Sequence, residues 1–402
     1  MSTAELQNPS PSAADERRLL LAGIVALALA MGVGRFLYTP VLPLMLREHA
    51  LDAAGGGWLA SVNFVGYLAG ALYAALGVPA ARRILVVALA LVATALTTLG
   101  MGLTDSYALW ALLRFIAGVA TALAMVLGGA LVLERLPAAR RASGSGYLYG
   151  GIGAGMAMTT LAVAALDRLG VGTAGVWVLS GIATALLLPL CRPLLRPAPA
   201  AAAMARTACE AKPVRLGWLV AAYGLAGFGY SVSATFLPVI VRTLGLPALV
   251  AESCWLVAGL AAIPASLLWG VIARRRGTEF ALAAALATEA AGVALPLLLP
   301  NAFGALAGGA LFGASFLAVV GLALAVAREA EPTRASRAMG LMTASFGLGQ
   351  ILAPALSSAL IGSGAGFGLP LALAAGALVV ALLMLTRLHP QPGVATRLET
   401  AP

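Results

Sequence analysis

Apolar runs of about 17 residues or more recur from one end of the chain to the other, each closed by a short polar or Gly/Pro-rich break, and each is long enough to cross a hydrocarbon core of about 30 Å as a helix. A helix is one of only two structures that satisfy every backbone polar group inside lipid. The spans are read at 19–46, 56–77, 84–101, 107–133, 144–166, 174–190, 216–241, 252–273, 280–299, 302–327, 338–361 and 367–386. The expectation is an all-α membrane protein with twelve transmembrane helices. Charged residues make up 10% of the 402 positions, against roughly 25% in a soluble domain.

A net charge of +10 would point to a nucleic-acid partner in a soluble protein, so it has to be read against the spans. Of the 25 basic residues, twenty fall in breaks on one side: Arg17/Arg18, Arg82/Arg83, Arg135/Arg140/Arg141, the 192–215 segment, Arg274/Arg275/Arg276, Arg328/Arg334/Arg337 and Arg387/Arg397. Arg47, Arg168 and Arg242 lie on the other side. By the positive-inside rule both termini and the 191–215 segment are cytoplasmic, and no nucleic acid is expected as partner; one lysine among the 25 basic residues and abundant alanine suggest a GC-rich bacterial genome, hence a bacterial inner membrane. Arg17-Arg18 followed by an apolar run ending in Ala-x-Ala imitates a signal peptide, but the run continues to Leu46 and is read as a retained first helix. Cys191, Cys209 and Cys254 are too scattered for a disulfide framework, and His49 and His389 fit no metal-ligand spacing, so no metal or cofactor is expected.

The chain repeats itself at a shift of about 195 residues. Gly32, Gly34, Leu42-Pro43, Arg47 and Leu51 match Gly227, Gly229, Leu237-Pro238, Arg242 and Leu246 without a gap. Further on, Trp58-Leu59 answers Trp255-Leu256, Gly77-Val78 answers Gly270-Val271, Pro137 answers Pro332, and 141-RAS-143 answers 334-RAS-336. The expected layout is a tail (1–18), a six-helix bundle (19–190), a linker rich in Ala, Pro and Arg (191–215), a second bundle (216–386) and a tail (387–402). Two bundles related by a pseudo-two-fold axis suit a carrier with its site at their interface.

Specific motifs carry a family resemblance over nearly the whole chain. Breaks after the second and eighth spans read 77-GVPAARRI-84 and 270-GVIARRRG-277, and the fourth span holds 114-RFIAG-118. The opening stretch of the first bundle reads 32-GVGRFLYTPVLP-43. The chain resembles major facilitator superfamily (MFS) transporters, and its opening stretch is similar to the YbfB/YjiJ-like branch. The loops depart from the family's Gly-x-x-x-Asp-Arg-x-Gly signature, with Ala81 and Arg274 at the Asp positions. The resemblance implies gating roles for Gly77, Arg82, Arg83, Gly270, Arg275 and Gly277. It also implies that helices 1, 4, 7 and 10 line a central cavity, with 2, 5, 8 and 11 beside them and the remainder as outer supports.

Three ionisable residues sit well inside spans: Arg35, Arg114 and Glu289. A charge there costs about 2.5 to 3.5 kcal/mol on insertion scales and needs a partner or a wet cavity. Arg35 shares a helical face with Met31, Tyr38, Thr39 and Leu42, and Arg114 shares one with Gly118 and Thr121. No carboxylate lies within the spans of the first half to neutralise either arginine. Their planar guanidinium forks suit an anion bidentately, while bonding to backbone carbonyls of a neighbouring helix is the structural alternative. Asn63, Tyr67, Tyr147, Tyr149, Tyr223, Tyr230 and Gln350 could complete a pocket, Tyr230 being the repeat partner of Arg35; helix packing is the alternative for each. Glu289 is a candidate for proton coupling, although its place on an outer support helix favours a protonated carboxyl bonded to a neighbouring helix.

These readings lead to an expectation of a monomeric secondary transporter, not an enzyme, working by alternating access on a small-molecule substrate, an organic anion of carboxylate type. A coupling proton carried by the substrate's own carboxyl or by Glu289 stays open. The alternatives are an efflux antiporter for drugs or hydrophobic metabolites, against which the missing Gly-Pro pair of helix 5 counts, and a receptor or lipid-handling protein, against which the short loops count.

Overall fold

A computed structural model describes residues 12–48, 51–197, 214–332, 334–364 and 366–389. Most of both expected tails and of the expected linker, with His49 and Cys209, lies outside the described residues. Twelve helices are long and apolar enough to cross a membrane. They are α1 (Ala13–Glu48), α2 (Ala53–Ala75), α3 (Ala80–Met101), α4 (Tyr107–Arg135), α5 (Ala138–Arg168), α6 (Thr173–Cys191), α7 (Leu216–Thr243), α8 (Ala248–Arg276), α9 (Thr278–Leu298), α10 (Ala302–Ala330), α11 (Arg337–Gly362) and α12 (Gly368–Leu385). The described residues contain no strand. Helices α1 and α5 start earlier than the apolar pattern indicates, because Ser12 caps Asp15 at 3.2 Å and the polar turn 138–143 also winds into helix. Lipid-facing stripes are plain where a helix is peripheral: Leu85, Leu89, Val92 and Leu96 repeat at helical spacing on α3 and are all exposed.

Between helices, small residues do the packing, as expected where water supplies no driving force. A Cβ on Gly32 of α1 would come within 2.5 Å of the Gly155 Cα of α5. Gly118 of α4 sits against the Asn63 carbonyl of α2, and Gly313 of α10 against the Ala258 carbonyl of α8. Those two contacts are copies of one another at the sequence repeat. Across the halves the main contacts are α5 on α8 and α2 on α11. Gly153 and Gly259 meet backbone to backbone in the first, and Ser61 Oγ donates to the Ile351 carbonyl at 3.1 Å in the second. Repeat-related positions also touch directly on the axis, where Thr39 Oγ1 of α1 donates to the Ala234 carbonyl of α7.

Helix α1 is not regular. Its hydrogen bonds loosen to the wider π register over Ala28–Phe36, and α-helix resumes from Tyr38. Pro40 offers no N–H to the Phe36 carbonyl, the bond that would have continued the α register. In α7 the equivalent position is Thr235, and that helix runs unbroken from Leu216 to Thr243 although Pro238 matches Pro43. A second π segment, Ala124–Gly128, lies in α4. Among the described residues, the two helices with π segments are the two that carry buried arginines, and π segments are frequent at functional sites.

The loop assignments need one correction. Gly77 is in a turn at φ +99°, a value glycine alone accepts without strain, and Pro79 caps the start of α3. Gly270 and Arg275, expected in the matching loop, are inside α8, which continues to Arg276 and stops at Gly277 with φ +93°. The second copy lacks a proline at the Pro79 position, so nothing ends the helix until that glycine. Arg83 donates to the Val78 carbonyl at 3.3 Å and pairs with Glu134 of α4 at 3.2 Å, while Arg82 is exposed. Glu134 thus takes up the arginine that the missing loop aspartate would have met. In the second half its repeat mate Glu329 accepts from Thr278 Oγ1 at 3.0 Å.

A side chain at Gly313 would have to displace the Ala258 backbone, whereas a methyl at Gly376 meets open space. Gly313→Val should lower stability by about 1–3 kcal/mol and Gly376→Ala should be neutral or stabilising, read as thermal unfolding midpoints in detergent.

Candidate functional site

Arg35, Phe36, Tyr38, Thr39, Asn63, Phe64 and Arg114 of the first half line one small cavity with Ala234 and Thr235 of the second. Its volume is about 10 Å³, room for roughly one water molecule. The site is filled by its own side chains.

Both guanidinium groups are held by aromatic faces. Arg35 is 5% exposed, with its Cζ 4.7 Å from the Phe64 ring centre and 4.2 Å from that of Tyr67, both on α2. Arg114 is 4% exposed and lies 4.2 Å over the ring of Tyr38. The Tyr38 hydroxyl donates to the Gly56 carbonyl at 2.7 Å, which fixes that ring, and Asn63 Nδ2 donates to the Arg114 carbonyl at 2.8 Å, which ties α4 to α2. A buried cation over an aromatic face gains about 2 kcal/mol when desolvated. That offsets part of the burial cost without removing the charge.

Neither arginine forms an ion pair among the described residues, and the Nε of each has no hydrogen-bond partner. Both arginines line the same small cavity, where their like charges repel. Across the axis Arg35 lies within electrostatic range of Tyr230 of α7, its repeat mate. Aromatic faces, rather than the backbone carbonyls considered from sequence, are what hold Arg35 and Arg114.

Gln350 is buried on α11 with Oε1 unpartnered. Tyr67 donates its hydroxyl towards the Met125 sulfur at 3.2 Å, and Tyr149 is half-buried within electrostatic range of Tyr67. Tyr147 has to be withdrawn from the site. It is 55% exposed, because Gly146, Gly150 and Gly153 turn another face of α5 onto α8 while Gly151 and Gly155 face α1. Glu289 on α9 is 1% exposed and neither of its oxygens has a hydrogen-bond partner, so the bond to a neighbouring helix expected for it is absent. It lies within electrostatic range of Tyr223 and Tyr230.

Phe36 and Phe64 were not singled out from sequence. Phe64 shares the face of Tyr67 at i−3, a signal that was present but is common in any apolar helix. Phe36 points across the axis to Trp255 and Phe316, with ring centres 5.9 Å away in each case, and only the irregular winding of α1 shows that direction.

On the side away from the arginine-rich connections the halves are latched. Arg168 of α5 pairs with Glu252 of α8 at 2.9 Å, and Arg242 approaches the same carboxylate at 4.0 Å. Arg47 pairs with Asp167 at 2.7 Å, and Glu48 accepts from the Thr173 amide at 2.6 Å. All three arginines on this side are therefore ion-paired.

A twelve-helix bundle with two repeat-related halves and a charged site on their axis defines a membrane carrier of the MFS fold. Solved structures agree. A bacterial homologue of the human lysosomal transporter Spinster, inward-facing and unoccupied, superposes with a TM-score of 0.65 at 16% identity, over 94% of this chain and 96% of that one. Its occupied form gives 0.65 at 18% identity over the same shares. A mutant of the nucleoside transporter NupG gives 0.72 at 14% identity, over 93% and 99%. No curated protein matches at a significant level. The profile of the family described as "Uncharacterised MFS-type transporter YbfB" matches residues 27–386, and the chain belongs to that family.

The aromatic seat of Arg35 predicts a graded response. Tyr67→Phe keeps the ring and should hold the unfolding midpoint, whereas Tyr67→Leu removes the nearer of the two α2 rings, leaves the guanidinium on Phe64, and should cost about 1 kcal/mol, measured by thermal unfolding in detergent.

Proposed function

We propose that this transporter moves a small organic anion, a carboxylate, across the bacterial inner membrane by alternating access, with both termini in the cytoplasm. The observation that carries this reading is the pair of guanidinium groups buried at the interface of the halves with no carboxylate bonded to either. Two like charges in a low-dielectric site repel, and an anion between them would relieve both the repulsion and the unpaired donors. The three arginines on the opposite side are already neutralised, so the free positive charge of the membrane-embedded region is concentrated at the site. Tyr38, Thr39, Asn63, Tyr67, Tyr230 and Gln350 would orient the bound anion. Glu289 is the group available to carry a coupling proton, and the protein acts as a monomer.

A carboxylate panel tests the anion. Some members should raise the unfolding midpoint of the purified protein, and Arg35→Ala should weaken their binding by about 10- to 100-fold, as expected for loss of charged hydrogen bonds. Full retention of binding by Arg35→Ala would contradict the assignment, and stabilisation by hydrophobic cations instead would favour an efflux carrier.

Alternating access has its own test. A Cβ on Gly57 of α2 would collide with Ser358 Oγ of α11, so Gly57→Cys with Ser358→Cys, in a background lacking Cys191, Cys209 and Cys254, should cross-link and stop substrate flux in proteoliposomes. Reductant should restore it. Undiminished flux through fully cross-linked protein would rule the mechanism out.

A further inference from the structure

Two unlike walls meet at the site. The first half lines the cavity with Arg35 and Arg114 beside Phe36, Tyr38 and Phe64, and the second half lines it with Ala234 and Thr235 and carries a stack of rings behind Phe36. On α7 and α10 the rings of Tyr230, Phe312 and Phe316 lie nearly parallel, with planes 16° apart for Tyr230 and Phe312, 22° for Tyr230 and Phe316, and 7° for Phe312 and Phe316. Their centres are 5.2 to 5.8 Å apart. Phe346 of α11 joins this group 6.0 Å from Tyr230, and Trp255 of α8 closes it 6.1 Å from Phe312.

The repeat exposes how one-sided this wall is. At the matching positions of the first half, Ala117 and Thr121 stand where the second half has Phe312 and Phe316, and Arg35 stands where it has Tyr230. At these three positions a pair of bundles built on one plan differs, with a charge and two small residues in one copy and three stacked rings in the other. General core packing would not require that division, because each half buries its other faces with the same small residues.

Phe36 joins the two walls. It follows Arg35 directly, lines the cavity, and crosses the axis to meet Phe316 edge-on at 80° and Trp255 at 58°. In the closed form an aromatic ring attached beside a guanidinium is thus already seated on the second-half wall. A substrate carrying a ring beside a carboxylate matches that arrangement with the charges complementary, once the halves part and Phe36 withdraws.

We infer that the substrate is an aromatic carboxylate, its carboxylate bound between Arg35 and Arg114 and its ring stacked on Phe316 and Phe312 of the second half. This rests on the anion-transport reading and narrows it. Offset or edge-on ring pairs contribute beyond their area, by an amount equivalent to about two- to tenfold in affinity, and a saturated ring of equal size forgoes that gain.

The test compares matched ligands on the intact protein. Benzoate, phenylacetate and 3-phenylpropionate are each set against the cyclohexyl counterpart and against the uncharged amide, with acetate, lactate and succinate as ringless carboxylates, and Kd is read by calorimetry. At least one aromatic acid should bind about two- to tenfold tighter than its cyclohexyl partner, its amide should not bind, and Phe316→Leu should bring the ratio of the two Kd values close to one. Equal affinity for the aromatic and cyclohexyl acids on the unaltered protein, or binding of ringless acids alone, overturns the aromatic assignment and leaves the anion reading standing. Binding of no carboxylate at all overturns both. Because the decisive comparison uses unaltered protein, a Phe316→Leu variant that fails to fold does not rescue the proposal.

Discussion

The guanidinium of Arg35, buried over the rings of Phe64 and Tyr67 and next to that of Arg114, is the constraint around which this bundle is arranged. A charge at that depth is tolerated only where something compensates it. Here the compensation is partial: aromatic faces, one phenol across the axis, and no carboxylate. The surrounding features serve to hold that arrangement. Gly118 lets α4 lie against the backbone of α2, Asn63 ties the Arg114 carbonyl to α2, and Tyr38 is pinned under Arg114 by the Gly56 carbonyl. The π segment of α1 contains Arg35, and that of α4 carries Met125, which receives the hydroxyl of the Tyr67 ring under Arg35.

Pseudo-symmetry explains why the site lies where it does. Repeat-related positions meet on the axis, as Thr39 with Ala234 and Arg35 with Tyr230. The helices that clasp across the halves are also equivalent, since α2 on α11 is the repeat image of α8 on α5. Such a scaffold gives two interfaces of the same construction. The copies differ at the centre, where Arg35 faces Tyr230, and in the loops, where Pro79 has no counterpart.

Much of this was legible in the sequence, for identifiable reasons. Span positions follow from hydropathy alone, because lipid leaves the backbone no other choice. Arg35 and Arg114 stand out because nothing else in the first half's spans is charged, and the repeat shift of about 195 residues is what the axis contacts follow. Rotations of helices were less legible. Tyr147 reads as a site residue by composition but turns outward, since which glycine face of α5 meets α8 depends on the partner helix. The loop copy at Gly270 was misplaced because motif likeness outweighed the missing proline. The stacking of Arg114 on Tyr38 is a contact between two helices at distant positions, and no periodicity within either one encodes it.

The central claim is that the buried arginines are kept for an anion rather than for packing. It is tested most directly by the unfolding midpoint of the Arg35→Met, Arg114→Met double variant beside the unaltered protein, each with and without a carboxylate from the binding panel. Removing two unpaired buried charges should leave the ligand-free midpoint equal or higher, as replacing buried charge by well-packed apolar groups often does, and should abolish the rise on adding carboxylate. A double variant that is markedly less stable without ligand, beside an unaltered protein whose midpoint no carboxylate shifts, would show the arginines to be structural and contradict the account.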